Sequence, residues 1–231
     1  MHTEYNKQFI FHIMLDNLDL TRSVYQQLKK MILNKELKPG EKVRQEKIAE
    51  QLGISRTPLA RALMILENEF LVTSIPRRGV YVREFDLKEM IDIFDCREAI
   101  EGMAARILAN QGTAEAVLEL RNCFINYKNI KDIDPVDYAK SDDEFHKSLV
   151  RLTDNEPLDR IYAFGSIHEK VKDVGLVRPP AETLSEHFQI IDAIEEGDAD
   201  SAERLIREHI RKSRQLLFDQ YTINLKTKLR D

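Results

Sequence analysis

Four residues in the C-terminal part of the chain pair metal-binding chemistry with positions that should be apolar. Asp142 and His146 stand four apart on a stripe with Tyr138, Ala139, Leu149 and Val150. His187 shares a second stripe with Leu184, Ile190, Ile191 and Ile194, and His209 a third with Ala202, Leu205, Ile206, Ile210, Ser213 and Leu216. Steps of three and four residues put each set on one helix face. Burying such polar groups is costly unless each finds a partner. Three converging helices solve that cost together by holding a cation. One carboxylate and three imidazoles suit a divalent transition metal (zinc, nickel, manganese or iron), with no choice among them. Taken singly, each histidine reads first as a hydrogen-bonded core or interface residue. Asp142 and His146 also fit a plain i, i+4 ion pair, which accounts for neither His187 nor His209.

The second chemistry-bearing group is basic. The whole chain has a net charge of −5, but residues 21–85 carry +6 and residues 86–231 carry −9. A basic head on an acidic body calls for a polyanionic partner of the head, although chance clustering of solvated charges gives the same counts. The head's hydrophobic pattern gives those charges a frame. Thr21 is placed to cap a helix carrying Val24, Leu28, Met31 and Ile32, which Lys38-Pro39-Gly40 ends. A second helix spans about Gln45 to Leu52 with Gly53 as its C-cap. Ser55 caps a third, with Leu59, Ala62, Leu63 and Leu66 on its inner face. Thr57, Arg61 and Met64 then face outward, and Arg56 and Thr57 occupy the first turn. The run from Leu71 to Val82, turning at Ile75-Pro76-Arg77-Arg78-Gly79, alternates as a β-hairpin does. Two short helices around a tight turn, followed by a hairpin, form a winged helix-turn-helix, and Arg77 and Arg78 sit at its wing tip. A lone arginine at any of these places is ordinarily a solvated surface charge; the coincidence of several at the groove-facing places favours DNA.

The composition fits helices throughout. In 231 residues, 42% hydrophobic and 32% charged, there are only 8 Gly and 7 Pro and no Trp, which argues against a turn-rich sandwich or barrel. No apolar run is long enough to span a membrane. The N-terminus shows no secretory pattern, so a cytoplasmic protein is expected, with Cys96 and Cys123 as reduced thiols packed in a core. From Phe85-Asp86 onward the period is helical. Breaks near Gly112, Asp134-Pro135, Asn155-Glu156-Pro157, Arg178-Pro179-Pro180 and Gly197-Asp198 leave about six helices. Three parts are expected: an arm over residues 1–18, a winged helix-turn-helix over 19–84 and a helical domain over 85–231.

The head's motifs resemble a known family. Lys38-Pro39-Gly40-Glu41, the run from Ile48 to Leu59 containing Leu52-Gly53-Ile54-Ser55-Arg56-Thr57-Pro58, Ala62-Leu63, Leu66-Glu67, and Pro76-Arg77-Arg78-Gly79-Val80-Tyr81-Val82 are similar to the head of GntR-family transcription regulators. The resemblance implies that Ser55, Arg56 and Thr57 touch DNA, with the Arg77-Arg78-Gly79 tip in or near the minor groove. Where the family usually has arginine after the residue matching Leu59, this chain has Ala60. Arg61, pointing away from the inner face, is expected to take over part of that contact.

The body resembles the FadR C-terminal, or FCD, ligand domain over about Leu87 to Leu217. The resemblance rests on Arg97-Glu98-Ala99-Ile100-Glu101, Asp142-Asp143-Glu144-Phe145-His146, Glu186-His187 with Ile191-Asp192-Ala193-Ile194, Gly197-Asp198-Ala199, and His209. It implies an antiparallel helical bundle with a metal on Asp142, His146, His187 and His209. A small carboxylate effector is then expected at the open metal positions, helped by Arg97. His168, on a stripe with Ile161, Phe164, Gly165 and Val171, reads first as a core histidine and second as a group facing the effector cavity.

The expected protein is therefore a mainly α transcription regulator, a repressor by default. It binds a pseudo-palindromic duplex operator as a homodimer, because two-fold protein symmetry is mirrored in the site. Two rival functions use the same four ligands. A metal-dependent hydrolase would activate water at the open positions, and a metal-sensing regulator would follow the ion itself.

Overall fold

The computed structural model describes residues 19–127, 132–163 and 176–228. The expected arm over residues 1–18 and His168, with most of its stripe, lie outside the described residues. The chain divides into two compact units, residues 1–84 and 85–231.

In the first unit, α1 (residues 19–33), α2 (Gln45–Leu52) and α3 (Arg56–Asn68) precede the hairpin strands β1 (Val72–Ile75) and β2 (Gly79–Val82). Thr21 lies inside α1 and is buried, not at its cap. Threonine costs a helix interior only a few tenths of a kcal/mol, about what a misplaced start would cost, so its cap signal is weak. Between α2 and α3 the chain turns in three residues because Gly53 takes φ +63°, a left-handed conformation that glycine adopts without Cβ strain. Val24, Leu28, Ile48, Leu59, Ala62, Leu66, Val72 and Val82 pack as one core. Two carboxylates stitch its elements together. Glu67 accepts from the Ser74 amide at 2.7 Å and hydroxyl at 2.8 Å, tying α3 to β1. Glu69 accepts from the Tyr25 hydroxyl at 2.6 Å, tying α3 to α1.

The hairpin is antiparallel, pairing Val72 with Val82 and Ile75 with Gly79. At its tip the Arg78 amide donates to the Ile75 carbonyl at 3.0 Å. Pro76 and Arg77 form the corner, and Arg77 has φ +63°. A type II turn needs a positive φ at that place and normally fills it with glycine.

The second unit holds six α-helices among the described residues: α4 (Leu87–Gln111), α5 (Ala114–Asn122), α6 (Pro135–Arg151), α7 (Glu156–Ala163), α8 (Pro180–Glu195) and α9 (Ala199–Lys228). A capping box between Asp86 and Glu89 starts α4. Asp134 caps α6 by accepting from Val136 and Asp137. The two longest helices, α4 and α9, run antiparallel. Asp95 bonds Arg214, Glu98 bonds Arg211 at 2.6 Å, and Arg106 bonds Glu203 at 3.0 Å, so the pairs descend one helix as they climb the other. Gly102 lets them approach closely, since a Cβ there would meet the Arg207 Nε at 2.6 Å.

Phe124, Tyr138, Phe145, Leu149, Ile190, Ile191, Ile194 and Ile206 centre the core. At its far end Leu217 is buried and Leu216 is 48% exposed. The register His209, Ser213, Leu217 advances by fours, so the expected Leu216 falls outside the stripe. Cys96 is exposed, not packed in the core as expected, because its place on α4 faces away from it. Cys123 is half-buried, and burial pushes its thiol up to about 11, which keeps it protonated and unreactive.

Arg77→Gly should raise the stability of the first unit by about 0.5–1 kcal/mol. That is the left-handed strain relieved less the extra freedom of glycine in the unfolded chain. Urea unfolding followed by circular dichroism measures it; a loss of stability would contradict a strained turn.

Candidate functional site

Helix α6 delivers Asp142 and His146, α8 delivers His187, and α9 delivers His209. One ligand atom from each lies within 4.8 Å of all the others. The three imidazoles are 3%, 0% and 5% exposed, in that order. Each ring uses Nδ1 on a partner outside the cluster. His146 Nδ1 lies 2.5 Å from Glu101 Oε2, His209 Nδ1 2.8 Å from Glu186 Oε2, and His187 Nδ1 3.0 Å from the Tyr138 hydroxyl. The Nε2 atoms are left toward Asp142, 3.8 Å from His146 and 3.5 Å from His187. His187 Nε2 is buried without a hydrogen-bond partner. The sequence-predicted set of four is thus brought together by three helices in one place.

Around the cluster the charges are paired. Glu101 on α4 accepts from Arg97 Nε at 2.7 Å and from the Tyr162 hydroxyl at 3.1 Å. Burial opposes its charge, but Arg97 and His146 hold the carboxyl down at about 2. Glu186 receives both terminal nitrogens of Arg178 at 2.8 Å and Lys212 at 2.6 Å. Burial opposes its charge too, and the bonds from His209, Arg178 and Lys212 keep it ionised far into acid. The imidazoles go the other way. Burial drives His187 well below its ordinary value, with His209 and His146 adding to the effect. Burial also lowers His209, against the opposing bond to Glu186. Both rings are therefore neutral at pH 7, the form that ligates metal. Phe124 stacks on His187 with centroids 4.5 Å apart and fixes the ring plane.

These residues fit a divalent transition ion on chemical grounds. Three imidazoles and a carboxylate converge, two Nδ1 atoms rest on carboxylates as metal-bound histidines commonly do, and one inward nitrogen is orphaned. Sequence reading named the four ligands but gave no role to Glu101, Glu186, Tyr138, Tyr162 and Arg178. Charges at 97 and 101, four apart on the otherwise apolar face of Phe94 and Leu108, were a signal for Glu101. Nothing in the sequence ties Tyr138 to His187, which is 49 positions away. Arg97 lies one hydrogen bond from a ligand histidine's partner and stacks on Phe94, its guanidinium carbon 5.0 Å from the ring centroid.

In the first unit, Ser55, Arg56, Thr57 and Arg61 are exposed on α3, and Arg77 and Arg78 are exposed on the wing beside half-buried Gly79. Ser55 stands at the N-cap of α3 but makes no side-chain capping bond, so its hydroxyl stays on the surface. Arg56 meets Glu46 at 3.5 Å with both side chains over 70% exposed, too weak a pair to hold it. An open groove of about 710 Å³ runs between the start of α2 and the wing, lined by Lys42, Arg44, Lys47, Arg77 and Arg78 with Glu46 as its one acid. Lys42, Arg44 and Lys47 were missed in the sequence, although the head's excess of positive charge pointed to more cations than α3 and the wing supply.

Comparison with known proteins agrees with both units. Residues 20–82 match the gntR family of bacterial regulatory proteins, and residues 92–212 match the FCD domain. An HTH-type transcriptional regulator in an unstable DNA locus of Streptomyces ambofaciens is 31% identical over 193 residues, 82% of this chain and 81% of that protein. The HTH-type transcriptional repressor RspR of Escherichia coli K12 is 25% identical over 84% of this chain and 86% of its own. Among solved structures, E. coli McbR/YncC shares the fold with a TM-score of 0.64 at 20% identity, covering 87% of this chain and 98% of that one. These relatives are transcription regulators and not enzymes, which removes the hydrolase reading of the four ligands. No described helix is long and apolar enough to cross a membrane. The chain belongs to the gntR family of bacterial transcription regulators, with an FCD domain in its C-terminal unit.

Proposed function

We propose that this regulator is a cytoplasmic repressor that binds a pseudo-palindromic operator as a homodimer, and that a small carboxylate bound at a metal in the FCD unit modulates its operator affinity. The observation that carries the sensor half is the buried convergence of Asp142, His146, His187 and His209 within 4.8 Å, one imidazole nitrogen of which has no partner. When bound, a divalent ion supplies Lewis acidity toward a carboxylate oxygen. The chain's own residues set the charge that such a ligand meets. Arg97 offsets Glu101 and Arg178 offsets Glu186, so Asp142 is the one inner carboxylate left to oppose a doubly charged ion. The excess is positive, which favours an anion. Arg97, 4% exposed, spends Nε on Glu101, and its terminal nitrogens suit that anion's second oxygen. Relatives named as repressors, one of them for a D-xylose utilization operon of Paenarthrobacter nicotinovorans, support the sign of regulation.

In the DNA-binding half, Ser55, Arg56, Thr57 and Arg61 enter the major groove, and Arg77, Arg78 and Gly79 follow the adjacent groove. The exposure of Ser55, Arg56, Thr57, Arg61, Arg77 and Arg78 supports this, as do the cations of the neighbouring groove. Arg56→Ala should weaken operator binding by about 1–3 kcal/mol, and parent affinity should fall steeply with salt as counterions are released. Fluorescence anisotropy on a labelled duplex reads both. An unchanged Kd, or a flat salt response, would contradict the assignment.

His187→Ala should abolish stoichiometric metal and lower the Tm of the protein as purified. Elemental analysis together with a thermal melt checks it, and equal metal in mutant and parent would remove the site. A thermal-shift screen of small organic acids on zinc-loaded protein should give stabilising hits that vanish after chelation. If the metal alone alters operator affinity and no acid does, the protein senses the ion.

A further inference from the structure

The three histidines are not held alike. His146 and His209 rest on ionised carboxylates, whereas His187 rests on a neutral relay. Its Nδ1 is 3.0 Å from the Tyr138 hydroxyl, that oxygen is 3.0 Å from Thr183 Oγ1, and Thr183 Oγ1 reaches back to the Pro179 carbonyl at 3.4 Å. A hydroxyl has one proton, so such a chain has two proton orders. In one, His187 Nδ1–H donates to Tyr138, Tyr138 to Thr183, and Thr183 to the Pro179 carbonyl. In the other, Thr183 donates to Tyr138 and Tyr138 to a bare Nδ1, so the ring's single proton sits on Nε2.

Two observations choose between them. The chain ends on a carbonyl, which only accepts, and Thr183 lies in the first turn of α8, where a threonine hydroxyl commonly bonds the i−4 carbonyl. At the other end, Nε2 is buried with no hydrogen-bond partner: the Asp142 carboxylate it faces stands 3.5 Å away without hydrogen-bonding geometry, and an N–H left unbonded there is the costlier kind of orphan. As a lone pair, the same atom would serve as one of the four ligand atoms that Asp142 and the three rings could offer a cation. We propose that Tyr138 and Thr183 are positioning residues that fix the tautomer of His187, with its proton on Nδ1 and its Nε2 lone pair held ready for the metal before the metal arrives. The use of that lone pair rests on the metal-site reading above; the tautomer does not.

The carboxylate-backed rings need no such device, because an acid that stays ionised can only accept from Nδ1. A phenol can do either, and the orientation of Thr183 decides which. Thr183→Val keeps the side chain's shape and removes the direction. Tyr138→Phe removes the acceptor, while the ring retains its packing against Phe124, 5.6 Å between centroids, and Tyr127, at 5.4 Å.

The test is a long-range proton–nitrogen correlation spectrum of the metal-free full-length protein labelled with ¹⁵N-histidine, His187 being assigned by its absence from His187→Ala. The parent should show His187 protonated at Nδ1. Tyr138→Phe and Thr183→Val should move it toward the Nε2–H form, and Thr183→Ser should restore the parent pattern. A parent ring protonated at Nε2, or a tautomer unmoved by both variants, would overturn the relay. Zinc competition titrations on the same proteins should show Tyr138→Phe and Thr183→Val weakened about 10- to 100-fold, the usual consequence of losing an outer partner of a ligand, with metal-free melting curves close to the parent's. Affinity equal to the parent's would overturn the relay's role in binding. Should His187→Ala itself bind zinc as the parent does, the metal reading fails, and the spectrum still decides the tautomer.

Discussion

Three buried imidazoles, each with one nitrogen committed to a partner outside the cluster, must turn their other nitrogens toward one another. That constraint governs the second unit. The inner nitrogens cannot all be donors, and burial keeps the rings of His187 and His209 neutral. A divalent ion would satisfy such an array and suit Asp142 as well. The hydrophobic core around Phe124 and Phe145 packs against the array and holds it in place.

The elements follow from what must be held. Asp142 and His146 come as a pair from one helix, but His187 and His209 need two further helices, and the outer carboxylate Glu101 needs a fourth. The α4–α9 pair supplies much of that frame. Gly102 permits the close approach, and the ion pairs along its edge set the antiparallel register. Each surface pair contributes little by itself; in series they discriminate one sliding register from another.

Much of this was legible in the sequence, and the reasons differ by element. The turn at Gly53, the inner face of α3 and the wing were readable because short-range chemistry specifies them: a left-handed cap, a period of 3.6 and an alternating hairpin. The four-residue cluster was readable because a histidine on an apolar stripe violates its helix's own pattern. Thr21 misled because the residue suits a cap and tolerates an interior. Leu216 misled because positions 216 and 217 differ by only one step around a helix, and packing alone selects the second. The partners of the histidines were largely hidden: Glu186 and Arg178 look like surface charges in a list of residues, and Tyr138 meets His187 only through tertiary packing. The groove cations Lys42, Arg44 and Lys47 were hidden for a related reason, since they line up with Arg77 and Arg78 only after the wing folds back.

The most direct measurement is anomalous diffraction at a metal absorption edge from crystals of the protein as purified. The account predicts one anomalous peak per chain, bonded through Nε2 of His146, His187 and His209 and a carboxylate oxygen of Asp142. A metal held through Nδ1, a peak located elsewhere on the molecule, or closely packed imidazoles with no peak between them in protein that was never exposed to chelator would contradict it.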